Sequence, residues 1–541
     1  MSEDISKKTK DLIDELKRVC ADFGLGNDGN ESKIITQAFL YKFLNDKLGY
    51  ELGNLDSRFK STESWEAELI KISQPEFKRL TDRLPTNTAR LTREQTISHL
   101  FNSQNQNNFS ILFDSALVEI ANSNAGIFSV STASQSKITL FEPISQFVSD
   151  PSRRDDFCRS IINKLANFSF NEVFEEKFDF FATIFEYLIK DYNKDGGGKY
   201  AEYYTPHAVS KIMARILVNK PEKNVTVYDP SAGSGTLLMN VAHQLGESNC
   251  TIYSQDISQK STGMLRLNLI LNNLVHSIHN VIQGNTIREP AHIDKGQLRK
   301  FDFIVSNPPF KLDFSDYRDE LDMPEHKDRF FAGVPAIMKK KMDSMSIYLL
   351  FIQHIIYSLS GRGKAAIVVP NGFLTGKSSI EMKIKQRMLD GKILSGVIAM
   401  PANIFANTST MVSIVVLDKT KSNDQVKFID ASNLGIIYKD GNNKKNVLTS
   451  DEEEKVIQAF NLGSKETLFS TVVSTEKVKE NSYSLNPGQY FEVPKKVYEI
   501  TREEFEIEKS ESLTRIEELM KENQSLQRNL LLELRSSRVN D

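Results

Sequence analysis

The sequence predicts an α/β fold: a Rossmann-like domain with a mainly parallel sheet, flanked by an N-terminal helical domain and a C-terminal helical tail. Three observations predict it. From Val225 to about Leu417, short β-rich runs (VTVY, TIYS, FDFIVS, AAIVV, GVIAM, SIVVL) alternate with helix-like segments, the pattern of repeated βα units. Residues 1 to about 165 instead carry helical spacing with few strand-like runs. Residues 501–541 contain neither glycine nor proline and are rich in Glu, Leu, Arg and Lys.

A chain of 541 residues is too long for one hydrophobic core. At ~150 residues per domain, three or four structural units are expected. We divide it into a helical domain (1–165), a central catalytic domain (166–480) and a helical or coiled-coil tail for subunit assembly (481–541). In the first, Ile34, Ile35, Ala38, Phe39, Leu44 and Leu48 fall on one helical face, with Gly49 near a plausible stop. This region reads as a bundle for packing or docking, with nothing catalytic in it. A second periodic stretch, Phe178 to Tyr192, is broken by Gly196, Gly197 and Gly198. In the tail, Ile516, Leu519, Leu526 and Leu530 make a partial a/d seam with Asn523 at one seam position. Two readings stay open there: a helix capping its own domain, or an arm for a partner.

Bulk properties exclude several classes. Cys20, Cys158 and Cys250 lie far apart, which argues against a disulfide framework or a zinc site and fits a reducing cytoplasm; no metal is expected. The charged N-terminus lacks a signal peptide's apolar stretch, and no run approaches the ~18 apolar residues of a membrane span. The richest window, Ile347 to Leu359, contains Gln353 and His354 and reads as a buried helix. A protein gripping DNA alone is often basic, and the formal net charge of −3, while it does not exclude DNA, is near-neutral. It points to a local groove, or to a partner that does most of the holding.

The run VTVY ends in Asp229-Pro230-Ser231-Ala232-Gly233-Ser234-Gly235-Thr236, followed by the apolar segment LLMNVAHQL. A strand, a tight glycine turn and a helix create a nucleotide site: glycines let the backbone approach, and the helix start offers unpaired N–H groups. The turn is neither GxGxxG nor a phosphate loop ending in GK[ST]. Asp229 suits a ligand carrying positive charge, and S-adenosylmethionine has a sulfonium and an ammonium. The next strand ends at Asp256, placed to accept hydrogen bonds from ribose hydroxyls.

The run FDFIVS leads directly into Asn307-Pro308-Pro309-Phe310. Two prolines cannot continue a central ladder, so the chain leaves the sheet at a strand's C-terminal end, where open α/β sheets bind ligands. An exocyclic adenine amine is a poor nucleophile because its lone pair is delocalised into the ring. Two acceptors aimed at its hydrogens localise that pair. The Asn307 side-chain oxygen and the Pro308 carbonyl can be those acceptors, the prolines stiffen the turn, and Phe310 offers a face for a base swung out of the duplex.

Together, DPSAGSGT and NPPF resemble the cofactor and catalytic motifs of amino-methyltransferases, in the gamma order. Ala201-Glu202-Tyr203-Tyr204-Thr205-Pro206-His207 resembles the segment preceding the cofactor turn in modification subunits of type I restriction–modification systems. The resemblance spans nearly the whole chain. It implies a methyltransferase domain that methylates N6 of adenine in a specific double-stranded DNA sequence, using S-adenosylmethionine. It further implies that Glu202, Tyr203, Tyr204, Thr205, Pro206 and His207 contact the methionine part of the cofactor. Ser231, Gly233, Ser234, Gly235 and Thr236 would wrap it, and Asp256 would hold the ribose. Asn285, in Gln283-Gly284-Asn285-Thr286, stands where many relatives have Asp and flanks the cofactor's adenine, and His207 replaces a frequent Arg. Phe405 resembles a second aromatic near the target base, and equally fits an ordinary core position. The implied partners are a specificity subunit, a second copy of this chain in an M2S complex, and a restriction subunit. Other readings stay open: a stand-alone or other phage-defence adenine methyltransferase, a protein-glutamine or RNA amino-methyltransferase, an N4-cytosine enzyme, or an inactive scaffold.

Overall fold

The computed structural model describes residues 2–26, 29–60, 64–171, 174, 184, 187, 205–338, 341–405, 411–440, 443–492 and 501–537. Its contacts divide the chain into two compact units, Met1–Phe491 and Glu492–Asp541. The first 165 residues therefore share a unit with the sheet, and the division falls after Phe491.

Each of the six β-rich runs falls on a strand of one 11-stranded sheet, with Met400 of GVIAM one residue past its strand's end. In chain order its strands are β1 (Val130–Thr132), β2 (Lys137–Ile138), β3 (Val225–Asp229), β4 (Cys250–Asp256), β5 (Val281–Gln283) and β6 (Phe301–Ser306). There follow β7 (Leu359–Pro370), β8 (Leu394–Ala399), β9 (Val412–Asp418), β10 (Gln425–Asp430) and β11 (Ser470–Ser474). The spatial order is β11-β10-β8-β9-β7-β6-β3-β4-β5-β1-β2. Strands β5, β4, β3, β6 and β7 pair in parallel, and β9 runs antiparallel between β7 and β8. Strands β6, β8 and β9 and the second half of β7 are almost wholly buried, which is why they read as apolar runs rather than alternating ones. Because β9 reverses twice, the C-terminal ends of β3, β4, β5, β6, β7, β8 and β10 all lie along one edge of the sheet.

The N-terminal region is mostly helical, as α1 (Ser2–Asp22) and α2 (Glu31–Leu55) illustrate, but it also supplies β1 and β2. Strand β1 pairs in parallel with β5, aligning Ser131 with Ile282. Helix α2 does not stop near Gly49. That residue lacks a side chain because Trp65 lies against it: a Cβ there would sit 2.5 Å from the indole. Of the periodic stretch 178–192, only Ile184 and Tyr187 are among the described residues, and the Tyr187 hydroxyl donates to Asp14 at 2.7 Å. Gly196, Gly197 and Gly198 lie outside them.

Four helices frame the sheet's C-terminal edge: α3 (His207–Leu217), α4 (Thr236–Leu245), α5 (Gln259–Leu271) and α6 (Tyr348–Ser358). Helix α6 is the expected buried helix, with Gln353 and His354 both inside. No helix among the described residues is long and apolar enough to cross a membrane. In the second unit, α7 (Arg502–Ser537) opens on a reciprocal cap: Glu504 accepts from the Thr501 N–H at 2.8 Å, and the Thr501 hydroxyl accepts from the Glu504 N–H at 3.2 Å.

Candidate functional site

The glycine turn follows β3 and requires left-handed backbone at Gly233 (φ 53°) and Gly235 (φ 85°). Gly235 is also the N-cap of α4, and a Cβ there would collide with Leu265 of α5 at 2.1 Å. Side chains from the ends of β3, β4 and β6, from the loop after β5 and from α5 tie the turn down. The Ser231 N–H donates to Asp229 at 2.9 Å, and the Ser231 hydroxyl meets that of Ser306 at 2.7 Å. The Gly233 N–H donates to Asp256 Oδ2 at 2.8 Å, Thr286 donates to the Pro230 carbonyl at 2.7 Å, and Asn268 donates to the Ser234 carbonyl at 3.1 Å. Asp256 therefore anchors the turn. Its other oxygen accepts from Ser258 N–H at 2.8 Å.

The electrostatics of this corner are one-sided. Burial, with Asp256 nearby, pushes the Asp229 carboxyl up to about 8, and burial raises Asp256 as well. Neither carboxylate forms an ion pair among the described residues. Asp229 is buried behind the turn, and Asp256 lines the space in front of it. A cavity of about 730 Å³ opens here, lined by Ser231, Asp256, Ser258, Asn285, Thr286 and Pro309, and reaches Lys33 and Gln37 of α2. Asn285 Oδ1 accepts from the Ile287 and Arg288 N–H groups at 3.0 and 3.2 Å, while its amide nitrogen donates to the Tyr317 hydroxyl at 3.1 Å.

At the end of β6, Asn307 is buried, and its Nδ2 donates to the Thr205 hydroxyl at 3.1 Å. That bond orients the amide and leaves Oδ1 without a donor among the described residues. Pro308 is buried, and Pro309 and Phe310 are half-buried. Phe310 packs edge-on to Tyr348, 6.3 Å between ring centres, and Tyr348 in turn meets Phe373 at 6.2 Å. The Tyr348 hydroxyl donates to Glu381 at 3.3 Å. This aromatic file was not legible in the sequence, because its members come from separate segments after β6 and β7.

Of the upstream segment, Thr205 is buried beside Asn307, Pro206 caps α3, and His207 is its first residue. Glu202, Tyr203 and Tyr204 lie outside the described residues. Phe405 is 5 % exposed and packed in the main apolar core.

Beneath the turn lies a buried polar network that the sequence reading missed. Arg329 donates to the carbonyls of Ile287 and Thr286 at 2.8 and 2.7 Å and to His354 Nδ1 at 3.0 Å. Because Nδ1 accepts, Nε2 carries the ring proton and donates to the Tyr228 hydroxyl at 3.1 Å. Burial, with Arg329 beside it, holds the His354 pKa well below its usual value. Carbonyl acceptors leave no mark in a sequence, so Arg329 reads there as a surface charge.

Residues 176–498 match the family model described as N-6 DNA methylase. The chain is 29 % identical over 345 residues to the type I restriction enzyme MpnII methylase subunit of Mycoplasma pneumoniae, covering 62 % of this chain and 61 % of that protein. It is 27 % identical over 350 residues to the MjaIX methylase subunit of Methanocaldococcus jannaschii, covering 61 % and 58 %. The aligned region thus spans about three-fifths of each of these relatives. Among solved structures, the type I restriction–modification methyltransferase subunit from Streptococcus thermophilus shares the fold, with a TM-score of 0.71 at 23 % identity, covering 91 % of this chain and 100 % of that one. A modification subunit of a putative type I restriction enzyme from Vibrio vulnificus also matches, with a TM-score of 0.54 at 15 % identity over 87 % of this chain and 93 % of that one.

Proposed function

Because the chain belongs to the N-6 DNA methylase family, we propose that it methylates the N6 amino group of adenine in double-stranded DNA, as the modification subunit of a type I restriction–modification complex. The observation that carries this reading is the Asn307 corner. A buried amide is held by Thr205 so that its oxygen is left open, on the same sheet edge as a glycine turn tied down by Asp229 and Asp256. When bound, S-adenosylmethionine supplies the electrophilic methyl group.

The chain's own residues do the rest. The turn 229–236 and Asp256 hold the cofactor, with Asn285 and Thr286 flanking its adenine. Glu202, Tyr203, Tyr204, Pro206 and His207 complete its methionine side. Asn307 Oδ1 and the Pro308 carbonyl accept the two amine hydrogens and localise the nitrogen lone pair. Phe310 receives the flipped base on its face, and Phe405 would be a second aromatic near the base. These groups act by positioning and by acceptors aligned before reaction. The reading includes a specificity subunit, a second copy of this chain and a restriction subunit as partners, in the cytoplasm. The near-neutral charge supports a division of labour in which another subunit reads the sequence.

The test is to incubate the chain, with and without its specificity subunit, with labelled cofactor and DNA, and to identify the modified base. Asn307→Ala is expected to lower transfer by about 10²–10³-fold, the scale for losing one aligned polar group, while cofactor binding persists. Wild-type labelling by Asn307→Ala would refute the site, and label found in protein or on cytosine would refute the substrate.

A further inference from the structure

A flipped base takes its angle from the surface it lands on, so an aromatic platform works only if it is itself held still. Phe310 is half-buried after β6, and the ring beside it is Tyr348, the first residue of α6. The planes of these two rings stand 77° apart, and those of Tyr348 and Phe373 stand 88° apart. Edge-to-face pairs add attraction beyond the apolar area they bury, but attraction alone does not fix one ring along the edge of the next.

The Tyr348 hydroxyl adds a direction to this stack. Tyr348 is buried, and its hydroxyl donates to Glu381 Oε1 on the helix Ser379–Asp390. Packing alone asks only for a ring at this position, and a buried hydroxyl costs stability unless it is paired.

The acceptor is itself tied down. Glu381 Oε2 accepts from the Ser378 N–H at 3.0 Å and the Ser378 hydroxyl at 2.7 Å, in the reciprocal cap that starts this helix. A Cβ at Gly376 would collide with the same carboxylate, so the glycine makes room for it. One turn further along, Lys385 is buried and donates to the carbonyls of Leu374 and Gly376 at 3.0 and 2.8 Å. The loop so fixed follows β7, and it leaves the sheet beside the Asn307 corner because β6 and β7 are parallel neighbours.

We propose that Tyr348 and Glu381 are positioning residues for methyl transfer: through their hydrogen bond they hold the Phe310 ring at the angle from which a flipped adenine presents its amine to Asn307. The inference rests on the reading of the chain as an adenine methyltransferase.

The test uses the full chain in its DNA-modifying assembly, as wild type, Tyr348→Phe, Glu381→Leu and Glu381→Gln. Single-turnover methyl transfer, affinity for DNA and for S-adenosylmethionine, and melting are measured side by side. Tyr348→Phe keeps the ring and frees it from Glu381. Since a misplacement of about 1 Å can cost 10²-fold, transfer should fall roughly tenfold or more while both affinities stay within about twofold. Glu381→Leu should match that loss. Glu381→Gln, whose side-chain oxygen still accepts, should recover most of the rate.

A 2-aminopurine in place of the target adenine gives a spectroscopic answer that a change in stability alone would not move. A base held in one place decays with one dominant emission lifetime, and a base on a loose platform with several. Wild type should show the first pattern and Tyr348→Phe the second. A Tyr348→Phe protein with the wild-type rate and lifetime would overturn the assignment, even if it melts lower. So would equal losses in Glu381→Gln and Glu381→Leu, since the hydrogen bond would then carry nothing. N6-methyladenine is scored in the same samples. Its absence with wild-type protein would overturn the methylation reading itself, whereas methylation at equal rates by all four proteins would overturn only the positioning roles.

Discussion

At the scale of single residues, Asp229 makes the sharpest prediction. Its carboxyl, ordinarily near 3.8, is pushed up to about 8 by burial, so the side chain is neutral at pH 7 while no cation faces it. A cationic cofactor binds the ionised form, so cofactor affinity should rise through pH 8 and level off about one pH unit above it. Asp229→Asn should flatten that profile and weaken binding at pH 8. The sign for stability is opposite. Between pH 4 and 8 the folded chain holds a proton that the unfolded chain has released, so this group costs stability as pH rises. The Asn variant should therefore melt higher than wild type at pH 8. Calorimetric titration at three pH values, with parallel melts, checks both. A flat wild-type profile would sink the assignment. Asp229, Gly235 and Asn307 were legible in the sequence because the backbone leaves the sheet beside each of them, and glycine and proline advertise such places. The Thr205–Asn307 bond was not, because 102 positions separate its partners.

At the scale of elements, the six apolar runs announced six strands because each is buried on both faces. Strands β5, β10 and β11 escaped notice because they are short or mixed with polar residues, and β1 and β2 because they sit in a helical context. The segment carrying Arg329 looks solvated, yet it locks β3, α6 and the loop after β5 together through His354, Thr286 and Ile287. Arg329→Met would leave three buried acceptors without donors. At about 1 kcal/mol or more each, we expect a loss of roughly 3 kcal/mol in denaturant unfolding, with weakened cofactor binding because Thr286 also holds Pro230. Arg329→Lys should recover part of the loss. A methionine variant as stable as wild type would show that the network carries no weight.

At the scale of the whole molecule, the second unit carries one long helix. Helix α7 has 36 residues, about 54 Å at 1.5 Å per residue, and Ile516, Leu519, Leu526 and Leu530 are 48–63 % exposed along it. We propose that this seam is an arm for a partner. Deleting residues 501–541 should leave the melting temperature and cofactor affinity of the remainder unchanged while weakening co-purification with the specificity subunit. Undiminished co-purification would reject that role.

The pairing of β1 with β5 sets a timetable for the newborn chain. Ser131 waits for Ile282, about 150 residues further on, and at 5–20 residues per second the ribosome needs roughly 8–30 s to deliver it. For that interval the first third of the protein is out of the exit tunnel with a sticky margin and nothing to zip onto. Crowding on a polysome, or a starved codon in that stretch, then becomes a hazard to yield that no property of the finished fold would betray.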